Sequence, residues 1–238
     1  METAFVVSAR RLARWFWLEW VRPLALPALV IFAAKSALAD INFVPSGSMK
    51  PTILEGDVVV INKLAYDLKV PFTRQRLATW AAPARGEIVV CFSPDDGVRL
   101  VKRVVATAGD IVELRDDVLV LNGTRADYAP RAATGAGIRY LEPAERAAAL
   151  FATERLGAAA HAVMVLPDRP ARRSFGPVVV PDGQCLVLGD NRDNSRDSRY
   201  FGFMPCHDII GRAEAVFVSG DLNNWLRPRF DRFCTALE

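Results

Sequence analysis

Histidine is almost missing from this chain: only His161 and His207 occur in 238 residues. Neither lies beside an acidic pattern, which removes the usual base of a serine–histidine–aspartate triad and leaves surface or structural roles for both. The four cysteines, Cys91, Cys185, Cys206 and Cys234, include no C-x-x-C pair and no nearby histidine spacing, so no zinc site is expected. They read as buried or idle thiols, with a disulfide open to them only in an oxidising compartment. Net charge is also missing from most of the chain. Residues 1–39 hold Arg10, Arg11, Arg14, Arg22 and Lys35 against Glu2 and Glu19; the whole formal excess of +3 lies there, and the remainder balances at zero. A neutral main body excludes general nucleic-acid binding. No internal repeat is evident, and long helices do not alternate with the strands. What is present, 51% hydrophobic and 24% charged residues, is the composition of a folded protein with room for one sizeable domain.

The basic N-terminal stretch RRLARWFWLEWVR (10–22) precedes PLALPALVIFAA, twelve residues without a charge, and then Lys35. From Pro23 to Ala39 a helix would run about 25 Å, at the lower limit for a hydrocarbon core of ~30 Å. Lys35 can snorkel at one end, and Trp15, Trp17 and Trp20 suit a headgroup belt at the other. The expectation is a cytoplasmic segment over 1–22 and a single transmembrane anchor over 23–39. The positive-inside rule then puts everything after about residue 40 outside the cytoplasm. Two readings compete: a signal peptide cut after Ala37-Leu38-Ala39, and a buried core helix.

Beyond residue 50, short apolar runs rich in β-branched residues predict strands at 58–62, 87–92, 98–106, 110–115, 118–123, 177–180, 185–190 and 209–219. Arg115-Asp116-Asp117 reads as a hairpin turn. The fold class expected is mainly β: an antiparallel β-barrel-like catalytic domain over 40–123 and 177–238. Residues 124–176 read as a small α-containing insertion, with a helix over the alanine-rich 141–157 closed by Gly157.

Three patches carry chemistry. In FVPSGSMKPTILEGD (43–57), Pro45 and Pro51 bracket Ser46-Gly47-Ser48-Met49, a loop able to expose a serine nucleophile, Ser48. With histidine scarce, the base sought is a lysine, which needs burial to bring its pKa down toward neutrality. In VRLVKRVVA (98–106), period-2 alternation places Lys102 on one face with Leu100 and Val104, an apolar setting for an amine. Lys50, two residues from Ser48, and Lys63, at a strand end, are weaker candidates. The third patch, LGDNRDNSRDSRYFGFMP (188–205), interleaves three aspartates with three arginines. That charge compensation and the wrong spacing exclude an EF-hand and suit a turn fixed by carboxylate–guanidinium pairs.

In this order, PSGSMKPTILEGD, RLVKRVVATAGD and GDNRDNSRDSRYFGFMP resemble the boxes of bacterial type I signal peptidases. The resemblance covers the apolar segment and nearly all of 40–123 and 177–219, and is vague over 124–176 and the last twenty residues. It implies Ser48 as nucleophile and Lys102 as general base. Ser46 and the Ser48 N–H would be the oxyanion donors, and Ser195 a hydrogen-bonding orienter of the lysine. Arg103, Asp190, Asp197 and Arg199 would form supporting ion pairs, and Val44, Pro45, Met49, Ile53, Leu100 and Val101 would lie near shallow substrate pockets. The implied enzyme is a monomeric serine endopeptidase of the bacterial inner (cytoplasmic) membrane, with its catalytic domain on the periplasmic side. It would need no cofactor or metal and would cut signal peptides from exported preproteins after Ala-x-Ala-like sequences. The alternatives are a specialised peptidase for one secretion, pilus or conjugation substrate, a self-cleaving repressor of related fold, and a non-catalytic tethered β domain.

Overall fold

The computed structural model describes residues 11–237 other than Ala13, Arg74 and Ala136. The first ten residues of the expected cytoplasmic segment lie outside that range. A π-type turn at Trp17–Val21 leads into helix α1 (Arg22–Leu38), which passes directly into strand β1 (Ala39–Phe43). Helix α1 starts with Pro23 in its first turn, where a missing N–H costs nothing. Its large side chains Leu24, Leu26, Leu29, Ile31 and Phe32 are all more than half exposed. The expected anchor is thus a helix, at the short end of what a span needs. At 17 residues it reaches about 25 Å, and among the described residues no helix is long and apolar enough to cross a membrane.

The strands follow as β2 (Asp57–Asn62), β3 (Asp67–Lys69), β4 (Arg76–Thr79), β5 (Ile88–Phe92), β6 (Arg99–Thr107), β7 (Ile111–Arg115), β8 (Val118–Leu121) and β9 (Thr124–Arg125). Then come β10 (Asp127–Pro130), helix α2 (Pro143–Ala148), β11 (Leu150–Leu156), β12 (Ala159–Val165), β13 (Phe175–Val179) and β14 (Gln184–Leu188). Helix α3 (Ser198–Phe201), β15 (Met204–Pro205), β16 (Ile209–Asp221), β17 (Arg227–Pro228) and β18 (Thr235–Ala236) complete the chain.

Nine strands form one antiparallel sheet ordered β1-β2-β16-β5-β6-β14-β15, with β17 and β18 also on β16. The 13-residue β16 carries register shifts against β2 and β5. Such irregularities bend a strand and deepen its twist, so the sheet curls. Because β1 and β15 end the order without pairing to each other, the antiparallel barrel-like body expected takes the form of an open half-barrel. Two packed clusters fill it. One gathers Met49, Ile53, Val59, Ile61, Ile88 and Val90, and the other gathers Val89, Cys91, Val104, Val187 and Met204. A second sheet, β13-β7-β8-β9, turns at Asp116-Asp117, both at positive φ, the geometry of a two-residue hairpin loop.

The helix expected over 141–157 is overturned. It stops at Ala148, and Leu150–Leu156 pairs with Ala159–Val165 around Gly157-Ala158. Alanine-rich composition is a weak local preference. Here burial of Phe151, Glu154 and Leu156, and pairing with β10 and β12 at the two edges, outweigh it.

Candidate active site

Ser48 sits in a single 3-10 turn, Gly47–Met49, that leaves β1 through Val44-Pro45. The turn is anchored on both sides. Val44 N–H donates to Asp57 O, and Ile53 N–H donates to Met49 O. Met49 and Ile53 are fully buried, so the loop between β1 and β2 is held by packing while Ser48 stays partly open. The short helical turn also leaves its first N–H groups, that of Ser48 among them, without a partner inside the turn.

Lys102 lies on β6 opposite Val89 of β5 and is 2% exposed. Its Nζ donates to Ser48 Oγ at 2.8 Å and to Val101 O at 2.9 Å. Burial pushes the amine below its ordinary pKa, and the more distant carboxylates Asp197 and Asp190 only partly oppose this. The other lysines differ. Burial would lower Lys50 as well, but its ion pairs with Glu145 (3.0 Å) and Glu55 (3.1 Å) outweigh it and raise the pKa. Burial lowers Lys63, yet its ammonium bonds Ser36 O at the end of α1. Of the three, only Lys102 contacts Ser48 with its amine.

The segment after β14 wraps this pair. Asp190 takes a two-pronged bond from Arg103, Nε–Oδ1 at 2.9 Å and Nη2–Oδ2 at 2.8 Å, and a further one from Thr52 Oγ1. Both partners of that ion pair are 1% exposed. Burial alone would raise the Asp190 pKa; the Arg103 charge and hydrogen bonds more than offset it and leave it lowered. Asp197 binds Arg199 in the same two-pronged way at 2.8 Å and accepts from Gly189 N–H at 3.0 Å. Arg199 in turn reaches Arg192 O.

Some expected positions sit differently. Ser195 Oγ is buried beside Gly189 and the Ser48 backbone but makes no hydrogen bond, so the expected Ser195–Lys102 bond is not formed here. The amine already spends donors on Ser48 and Val101. Ser46 is exposed. Of the six expected pocket residues, Val44, Met49, Ile53 and Val101 are buried in one cluster, because each side chain points into the half-barrel. Leu100 is half-buried and Pro45 exposed.

A family model described as signal peptidase, peptidase S26, matches residues 17–218. The chain belongs to that family. A signal peptidase I from Pseudomonas fluorescens is 33% identical over 212 residues, covering 84% of this chain and 70% of its own. One from Rickettsia typhi is 34% identical over 200 residues, covering 76% and 73%. A crystal structure of a signal peptidase I from Enterococcus faecalis V583 is 30% identical and covers 56% of this chain and 98% of its own, with a TM-score of 0.34.

Within this S26 chain, four residues support the site that the sequence did not single out for it. Asn191 donates from Nδ2 to Gly47 O (3.0 Å) and from its N–H to Ser48 O (3.1 Å), clamping the serine turn. Its neighbour Arg192 bonds Glu154 of β11 at 2.5 Å. His161 of β12 stands 3.1 Å from the same Glu154 carboxylate and 4.0 Å from Asp190. Glu154 and His161 are at most 2% exposed in their side chains. In sequence both sit in alanine-rich surroundings that resemble an exposed helix. The one available signal was their strand alternation: Glu154 shares a face with Leu156, and His161 with Val163, inward neighbours of apolar type.

Proposed function

We propose that this chain is a membrane-bound serine endopeptidase that removes signal peptides from exported proteins, with Ser48 as nucleophile and Lys102 as general base. The observation that carries the reading is the 2.8 Å contact between Ser48 Oγ and an amine that is 2% exposed and lowered in pKa. A neutral lysine can take the serine proton on attack, return it to the leaving amine, and then activate the deacylating water. The Ser48 N–H and the exposed Ser46 hydroxyl are the donors for the developing oxyanion. Ser195, whose hydroxyl carries no other bond, is assigned to orient the Lys102 amine on rotation. The Arg103–Asp190 and Asp197–Arg199 pairs hold the surrounding backbone and move no protons.

Two unpaired strand edges support the way a substrate would enter. Among the described residues β1 pairs only with β2, and residues 99–102 of β6 pair only with β5, since β14 joins from Arg103 onward. The Arg99–Asp40 ion pair, 3.1 Å, bridges these edges at one end, and Ser48 lies beyond the other end of β1. An extended peptide laid between them would gain main-chain hydrogen bonds. Val44, Met49, Ile53 and Val101 would close the floor, with Pro45 and Leu100 at the rim. A floor of packed core is shallow, which suits small residues and an Ala-x-Ala-type cleavage motif.

Lipid contact is supported by the exposed apolar surface of α1 and by Trp225, Leu226 and Phe230 beyond β16. We assign the arginine-rich N-terminal segment to the cytoplasmic side of the bacterial inner membrane and the half-barrel to the outer side. The organisation assigned is a core over 40–123 and 177–238 with an insertion over 124–176, acting as a monomer without metal or cofactor. The test is processing of a preprotein in detergent or proteoliposomes, read by the mobility shift of the mature product. Ser48→Ala and Lys102→Ala are each expected to abolish processing, and Lys50→Ala to retain it. Substantial turnover by Lys102→Ala would sink the mechanism. A panel of preproteins separates a general enzyme from one serving a single secretion, pilus or conjugation substrate.

A further inference from the structure

Cys185 and Cys206 bracket the whole loop that surrounds Ser48 and Lys102. Between them lie Asp190, Asn191, Arg192, Ser195, Asp197 and Arg199. Cys185 opens the core of β14 opposite Met204 of β15, and the Cys206 N–H donates to Gly183 O at 2.9 Å, continuing the same ladder by one step. The two cysteines are therefore diagonal neighbours on one face of an antiparallel pair, and both belong to the same apolar cluster. Each thiol acts on the titration of the other, as close neighbours do.

We propose that Cys185 and Cys206 form an intramolecular disulfide that closes the loop 185–206 into a covalent ring around the lysine-supporting ion pairs. The two thiols are suited to unequal parts in this exchange. Cys206 is partly exposed, and the neighbouring Cys185 thiol, with the nearby Arg76 charge, lowers its pKa against the effect of burial. Arg76 Nη2 also binds the Cys206 carbonyl at 2.5 Å. Cys185 is buried and held protonated. With a disulfide oxidant such as glutathione disulfide, the Cys206 thiolate attacks one sulfur and displaces a glutathione thiolate. Cys185, on losing its proton, then attacks the Cys206 sulfur and displaces the second glutathione. The oxidant gains two electrons, and the two cysteine protons end on the two released thiols. The remaining cysteines do not compete: Cys91 is fully buried with its thiol pushed up to about 12 by burial, and Cys234 lies exposed near the C-terminus.

The test uses the full chain in detergent, equilibrated with mixtures of oxidised and reduced glutathione. Intact mass should fall by about 2 Da on oxidation, the loss of two thiol hydrogens. Tryptic peptides 174–192 and 200–212 should then appear joined, and separate with dithiothreitol. Closing a ring of this size should raise the thermal midpoint by about 5–10 °C, reversibly. Cys206→Ser should retain peptidase activity while losing both the mass change and the redox-dependent midpoint. The proposal is overturned if, after oxidation, both thiols still react with iodoacetamide. It is equally overturned if mapping finds Cys206 joined to glutathione, to Cys234 or to a second chain instead. Since mass and midpoint are read without substrate, failure here is distinct from failure of the peptidase reading.

Discussion

Replacing Glu154 by Gln tests whether the β11–β12 hairpin holds the serine turn in place. Glu154 is 0% exposed and meets Arg192 Nη2 at 2.5 Å, His161 Nε2 at 3.1 Å, and the Tyr128 hydroxyl. Gln keeps the shape and removes the charge. The Arg192 guanidinium, 1% exposed, would lose its counter-charge and keep only neutral acceptors, among them Asp117 O at 3.4 Å. Removing one member of a buried ion pair costs about 3–5 kcal/mol. In a chain of this size that lowers the thermal midpoint by about 6–20 °C. Function should follow, because Arg192 adjoins Asn191, whose two bonds hold Gly47 O and Ser48 O. A displacement of the nucleophile approaching 1 Å can cost on the order of 100-fold in rate, so kcat should fall more than KM rises. The pH dependence provides a second check. Burial alone would raise the Glu154 carboxyl, but the Arg192 charge and His161 hold it well below the usual carboxylate range. Its contribution is therefore complete above the unfolded value of about 4.3 and is lost progressively as pH falls below that. In urea titrations the gap between wild type and Glu154→Gln should be widest near neutrality and narrow in acid. The double variant Glu154→Leu with Arg192→Leu, which leaves no buried charge behind, should recover much of the stability. The reasoning is refuted if Glu154→Gln unfolds within about 1 kcal/mol of wild type at pH 7, inside the range of ordinary surface substitutions.

Gly189→Ala should abolish activity and destabilise the fold by more than about 3 kcal/mol, since its added Cβ would overlap Ser195 Oγ and the Ser48 carbonyl, and the latter is backbone. A soluble, active Gly189→Ala protein would show that the loop can move away. For Lys102, kcat/KM should rise with pH through an acid limb centred below the ordinary lysine value of about 10.4, because burial favours the neutral amine. Between the lowered folded value and the ordinary unfolded one the unfolded chain holds more protons, so stability also rises with pH there. Lys102→Met, which removes the buried amine, should flatten that slope; an unchanged slope would assign the titration to another group.

The strands of the main sheet were legible because β-branched apolar runs suit a pleated, buried surface and little else. All eight predicted runs are strands, and the Asp116-Asp117 turn falls where its residue types put it. The setting of Lys102 was legible for a related reason: strand alternation is strictly local, so a lysine between Leu100 and Val104 declares its face before any partner is known. Residues 141–157 went the other way. Alanine content favours a helix by small increments per residue, whereas pairing with β10 and β12 depends on chain segments that no local window contains.

From the residues alone come the strand segments, the open Pro/Gly/Ser turn bearing Ser48, the amine with an apolar face, and the apolar N-terminal helix. Only the tertiary structure brings Lys102 within 2.8 Å of Ser48 across 54 positions of chain, and only it decides that the sheet stays open as a half-barrel. It alone reveals that Glu154 and His161, unremarkable in sequence, lie buried against the loop that supports Lys102. The physical reason is common to all three. Periodicity and turn chemistry are properties of neighbouring residues, while a lowered amine pKa or a buried charge pair depends on which distant segments exclude water from the same small volume.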